Sequence, residues 1–173
     1  MSLVLKELEK DDLERFVSEM QASFQSAVDA ASEAMPLPVL PREDIIESLA
    51  MPNARAYVAW DESGSVGGVV VFENENGMFE HECALLYIKA NIIGGGIGAK
   101  LWRAIEEHYP DALSWRLCTP YFEIRNIYFY LRKCGFHIVD LFENTEQDGG
   151  PHSESETKEY MFTFLKRMDG CWK

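Results

Sequence analysis

At 173 residues, 47% hydrophobic and 12% aromatic, the chain is long enough for one domain with a sizeable core and too apolar to be disordered. Its 16 Lys and Arg stand against 29 Asp and Glu, a formal net charge of −13. That balance repels nucleic acid and anionic membrane surfaces and attracts cationic ligands, or simply keeps the protein in solution.

Four cysteines, Cys83, Cys118, Cys134 and Cys171, are scattered without metal-type pair spacing, so no metal is expected. Cys83, Cys118 and Cys134 fall in apolar runs and read as small core residues, a usage suited to a reducing cytosol. Residues 1–6 carry no long apolar run, which argues against a signal peptide or membrane span and for a cytoplasmic protein.

Along the chain, residues 3–8 alternate as a first strand. Asp11 or Asp12 can cap a helix whose apolar stripe is Leu13, Phe16, Val17, Met20 and Phe24, running to about Ala31. Three prolines in 35–41 cannot stay helical. A short second helix follows to about Ala50, with Ile45, Ile46 and Leu49 facing inward. Residues 54–60 and 66–72 form a hairpin, and Asn76-Gly77 marks a second turn.

Residues 78–89 are the central strand, and a glycine-rich stretch, Ile93-Gly94-Gly95-Gly96-Ile97-Gly98-Ala99, opens a third helix of residues 96–108. Glycines at a strand-to-helix passage let the backbone turn tightly, and the free amides of a helix's first turn suit a phosphate. No Gly-Lys-Ser/Thr is present, which excludes a P-loop, and the dinucleotide fingerprint is matched only weakly. A strand at 114–119, a helix at 124–134, a strand at 136–142, a polar loop at 143–159 and a closing strand at 160–168 complete the order β-α-α-β-β-β-α-β-α-β-β.

Strand, Gly-x-Gly and amphipathic helix together resemble the acetyl-CoA motif of the GCN5-related N-acetyltransferases, Gln/Arg-x-x-Gly-x-Gly/Ala. Ile93 through Gly98 match both glycines, and Ile93 replaces the usual Gln or Arg. Downstream, the stretch from Arg125 and Asn126 to Phe129, Tyr130, Gly135 and Phe136 is similar to the family's Asn…Phe-Tyr-x-x-x-Gly-Phe helix. The resemblance covers residues 56–142. It implies an α/β (α+β) fold: a mixed, largely antiparallel seven-stranded sheet flanked by helices and splayed between its fourth and fifth strands.

The resemblance also implies acetyl-CoA as co-substrate and direct transfer to a primary amine in a ternary complex. It implies cofactor contacts from Tyr87, Ile88, Ile93, Gly94, Gly95, Gly96, Ile97, Gly98, Ala99, Asn126, Phe129 and Tyr130. The acidic charge favours a small cationic acceptor; a protein N-terminus or lysine, or a non-catalytic acyl-CoA sensor, are the alternatives. Family members are often dimers, and the Phe/Tyr strand near the C-terminus offers a surface for a homodimer.

For the base, Glu82 lies fourteen residues before Gly96, the spacing of the catalytic glutamate in the family's histone-acetylating branch. Its alternative is a solvated strand-end carboxylate, and His81 points to the opposite face. For the acid, the family places a tyrosine on the helix near the CoA sulfur. Many members carry it four residues before the glycine, where this chain has Leu131; Tyr130 is five before, about 100° around the helix. Tyr128 is a second candidate, and core packing is the alternative for both. Asn126 is read as a pantetheine contact or a helix cap, and Cys134 as a buried structural thiol rather than an acyl carrier.

Overall fold

The computed structural model describes residues 2–29, 39–74, 80–144 and 159–170. Residues 35–38, the Asn76-Gly77 turn, Cys171 and most of the polar 143–159 stretch lie outside them. The elements are β1 (Val4–Glu7), α1 (Leu13–Asp29), α2 (Arg42–Ala50), β2 (Ala54–Asp61), β3 (Gly64–Phe72), β4 (Glu80–Ile88), α3 (Ile97–His108), β5 (Ser114–Pro120), α4 (Ile124–Arg132), β6 (His137–Asn144) and β7 (Glu159–Arg167). They follow the expected order. Among the described residues no helix is long and apolar enough to cross a membrane.

All seven strands form one sheet in the order β1-β2-β3-β4-β5-β7-β6. Every pairing is antiparallel except β4 with β5. That parallel pairing spans only Glu80, His81 and Glu82 against Ser114, Trp115 and Arg116. Beyond those residues the two strands part, leaving a wedge with one edge of β4 unpaired among the described residues. This is the expected splay, and it sets the place for a ligand.

Two apolar cores lie on the two faces. On one, Leu101, Trp102 and Ile105 of α3 and Tyr130 of α4 pack with Val69, Cys83, Trp115, Leu117 and Phe164. On the other, Phe16, Val17 and Met20 of α1 and Ile45 of α2 pack on Val58, Val70 and Tyr87. Alternation along β4 and β5 assigns each side chain to a face. A bulge at Val70/Val71, where Val71 pairs with Cys83 and Val70 with Leu85, resets that alternation within β4.

Gly67 and Gly68 of β3 make this packing possible. A Cβ on Gly68 would lie 2.5 Å from the Phe16 ring and 2.8 Å from the Tyr87 ring, and one on Gly67 would lie 2.2 Å from the Tyr87 carbonyl oxygen. The glycines therefore let α1 settle against the end of β4.

Four expectations are corrected. Asp11 and Asp12 do not cap α1; they sit in a one-turn 3-10 segment before it, and Asp12 pairs with Arg15. A second such turn, Ala90–Ile92, separates β4 from the glycines. The last strand does not close the sheet: β7 inserts between β5 and β6, so both its edges are occupied and it cannot be the pairing strand of a dimer. Among the described residues the edge strands are β1 and β6, and β6 has Ile138, Val139, Leu141 and Phe142 exposed. Finally, Cys118 is exposed, not core, because its face of β5 carries no helical cover among the described residues. Cys83 and Cys134 are buried as expected.

Candidate active site

The glycine loop follows the central strand through the Ala90–Ile92 turn. Gly94, Gly95 and Gly96 all have positive φ, at 126°, 58° and 75°. Gly96 is the residue before the first turn of α3, in the left-handed region that a side chain disfavours. A Cβ on any of the three would meet no atom within 4 Å, so the loop borders open space. The Ile97 amide donates to the Gly94 carbonyl and the Lys100 amide to that of Gly96. Among the described residues the amides of Gly98 and Ala99 have no acceptor. Two free amides at the positive end of a twelve-residue helix make an anion site that fits a diphosphate.

Gly98 has another task. A Cβ there would lie 3.0 Å from the Phe129 ring, so it brings the start of α3 against α4. Ile88, Ile92, Ile97 and Phe129, all half-buried, pack on the larger core beside them. Ile93 is half-buried before the loop. The aromatic ring of Tyr87 is buried away from the wedge, edge-on to Phe16 at 5.4 Å, with its hydroxyl donating to Glu19. Glu19 also pairs with Lys89 at 2.8 Å, which ties α1 to the entry of the loop.

The backbone of β4 is the other resource. The Lys89 amide donates across to Val66 of β3. By alternation the amides of Ile88 and Leu86 point the other way, toward the wedge where β4 has no partner. Each can donate to an oxygen held beside it.

Glu82 stands where β4 and β5 part, on the face of α1 and α2, directly across from Arg116 of β5. Burial pushes its carboxyl above the ordinary 4.5, and the Arg116 guanidinium partly opposes this. His81 points to the opposite face as expected. It is buried between Tyr109 and Trp115, its Nδ1 accepts from the Asn74 amide, and burial holds it below the ordinary histidine range. It lines a separate cavity of about 310 Å³ with Glu73, His108, Tyr109 and Asp111, away from the glycine loop.

Tyr130 lies on the other side of the same level of β4, packed with Cys83, Cys134, Phe136 and Phe164. Burial raises its phenol well above the ordinary value, and among the described residues its hydroxyl has no hydrogen-bond partner. Tyr128 is 57% exposed. Asn126 is in the first turn of α4 rather than capping it, and its amide donates to Glu123. Cys134 is pushed up to about 12 by burial, so its thiol stays protonated. Among the described residues no group of three His, Cys, Asp or Glu side chains could hold a metal.

The sequence reading missed Arg116 and the open face it shares with Glu82 and Cys118. The signal was available in β5, where Trp115, Leu117 and Thr119 are buried and Arg116 and Cys118 exposed.

Comparison with known proteins decides the family. The model of the GNAT acetyltransferase family matches residues 13–136. The chain belongs to the GNAT acetyltransferase family. It is an N-acetyltransferase with acetyl-CoA as co-substrate. An uncharacterized Bacillus subtilis (strain 168) protein, YrkN, is 37% identical over 158 residues, covering 90% of this acetyltransferase and 84% of YrkN.

Solved structures show the same fold at low identity. The PaiA N-acetyltransferase of Thermoplasma acidophilum, in complex with coenzyme A, matches with a TM-score of 0.69 at 17% identity, over 96% of this chain and 99% of that one. Spermidine N-acetyltransferase of Vibrio cholerae, in complex with CoA and spermine, gives 0.68 at 14%, over 97% and 96%. The ribosomal-protein-S18-alanine N-acetyltransferase of Escherichia coli gives 0.68 at 11%, over 99% of both.

Proposed function

We propose that the acetyltransferase moves the acetyl group of acetyl-CoA directly to the primary amine of a small, positively charged acceptor. The observation that carries this is the placement of Glu82 and Tyr130 at one level of β4, on opposite faces of the sheet, beside the wedge. An amine approaching from the Glu82 face loses its proton to that carboxylate, directly or through water, and its nitrogen attacks the thioester carbon. The amide of Leu86, the nearer to Glu82 of the two that face the wedge, stabilises the oxyanion. The carbon–sulfur bond then breaks, Tyr130 protonates the departing thiolate from the other face, and the surplus proton of the new amide nitrogen returns through water to the Tyr130 phenolate.

The diphosphate rests on the loop of Gly94, Gly95 and Gly96 and on the amides of Gly98 and Ala99, with Ile93 and Ile97 flanking it and Phe129 and Asn126 on the α4 side. The net charge of −13 supports a cationic acceptor. The free edge of β6 is the surface on which a homodimer would form, and sedimentation of wild type against Leu141→Lys tests it. The function is tested by free-thiol release from acetyl-CoA across a panel of amines. Release that depends on a small amine supports it; release only with a peptide N-terminus or a protein lysine overturns the acceptor class.

A further inference from the structure

On the face of α1 and α2, the helices cover β2, β3 and β4, and among the described residues no helix covers it from β5 outward, where Arg116 and Cys118 of β5 are exposed and Thr163 of β7 is buried. At the border stand Glu82 and Arg116, direct partners across the last paired position before the wedge. Strand neighbours have backbones about 4.8 Å apart. Two side chains of opposite charge therefore share one spot of the face from which an amine would enter. Arg116 is exposed, and its contact with Glu80 is long, 3.5 Å from both Nε and the terminal nitrogen. A guanidinium in a built ion pair makes two short parallel bonds, so this fork is only loosely engaged. Further along β5, the exposed Cys118 contacts Thr163 of β7 at 3.8 Å, which fixes Cys118 on the same open face.

We infer that Arg116 binds a carboxylate carried next to the reacting amine, so that the acceptor is an α-amino acid or a compound with the same ammonium–carboxylate pair. This deepens the proposed function and rests on Glu82 as the group that meets the amine. In an α-amino acid the two charged groups share one carbon, so two adjacent side chains of opposite charge on paired strands can each meet one of them. With the carboxylate on the Arg116 fork, the amine falls beside Glu82. The acceptor carboxylate displaces Glu80, whose side chain is partly exposed and can return to water. Glu80, Glu82 and Asp140 leave the face acidic around Arg116, so a basic amino acid satisfies both the carboxylate match and the overall charge. Arg116 also acts on Glu82 electrostatically, and a purely positioning role predicts a different kinetic pattern.

The test uses pairs of acceptors that differ only by the carboxylate: lysine with 1,5-diaminopentane, phenylalanine with phenethylamine. Wild type should favour the amino acid of a pair by at least about tenfold in kcat/KM. In Arg116→Gln that ratio should collapse by roughly 10- to 100-fold, mainly through a higher KM for the amino acid, the loss expected for a hydrogen bond to a charged group. Arg116→Lys should recover part of it, since a point charge remains without the fork.

A wild-type preference for the decarboxylated amine overturns the inference. So does an Arg116→Gln protein in which kcat falls alike for both members and the ratio holds, which would leave Arg116 as a positioning residue only. A second readout is independent of turnover: alkylation of Cys118 in the Cys171→Ser protein, where Cys83 and Cys134 are buried. Slowing of alkylation by lysine, lost in Arg116→Gln, supports the carboxylate site even if no amine is acetylated, in which case only the proposed function fails. Equal protection by lysine and 1,5-diaminopentane counts against it.

Discussion

Replacing Glu82 with Gln keeps the shape of the side chain and removes its ability to take a proton. A general base contributes roughly 10²- to 10⁴-fold, which at about 1.36 kcal/mol per decade is about 3–5 kcal/mol of barrier. The structure narrows what else should change. Glu82 lies across the sheet from the glycine loop's contacts, so the KM for acetyl-CoA should stay within about threefold while kcat falls. The wild-type profile of kcat/KM against pH should show an acid limb above the ordinary carboxylate value of 4.5, because burial raises Glu82; the variant should lose that limb.

Stability should move the other way. A carboxyl raised in the folded state binds its proton more tightly there, so it lowers stability as pH rises through its folded value. Glu82→Gln should therefore melt at or above the wild-type temperature at pH 8, with the gap closing toward pH 4. Steady-state thiol release and thermal melts at both pH values measure all of this. A variant within tenfold of wild type at pH 7.5, with its acid limb intact, would refute Glu82 as the base and leave that role to solvent.

Tyr130→Phe removes one hydroxyl from a buried ring and should slow turnover by roughly 10- to 100-fold with little change in melting temperature, while the exposed Tyr128→Phe should stay near wild type; the reverse pattern would move the acid to Tyr128. Gly96→Ala forces a side chain into φ 75°, a cost of about 1–2 kcal/mol at the cradle, and calorimetry should show weaker acetyl-CoA binding. Gly67→Ala puts a methyl group on the Tyr87 carbonyl and should lower the melting temperature by about 5 °C or more, as overpacking of about 1–3 kcal/mol does in a chain of this size; an unchanged melt would mean that β3 can shift freely.

Local pattern carried much of this architecture. The apolar run into Ile88, the clustered glycines and the amphipathic stripe of Leu101 and Ile105 each signal their element within a few residues, and together they predict the cradle. The Asn126 to Phe136 stretch likewise predicts α4 and the strand after it. What stayed hidden depends on contacts between distant parts of the chain. The insertion of β7 between β5 and β6 is a matter of pairing, which alternation of Tyr160, Phe162 and Phe164 cannot specify. Cys118 sits in an apolar run, and only the one-sided cover of β5 exposes it. The juxtaposition of Glu82 and Arg116 arises from the parallel register of β4 and β5, 34 positions apart in sequence. Tyr130 was readable as an aromatic residue on the helix, but its burial follows from how α4 leans on Phe136 and Phe164.

The most direct measurement is a pair of calorimetric titrations, acetyl-CoA and S-acetylpantetheine, into the purified protein. The second ligand keeps the thioester and lacks the diphosphate that we propose the glycine loop and the first turn of α3 hold. The account predicts saturable acetyl-CoA binding and binding of acetylpantetheine weaker by about 100-fold or more, the loss of several charge-assisted hydrogen bonds. Equal affinity for the two, or no binding of acetyl-CoA, would contradict it.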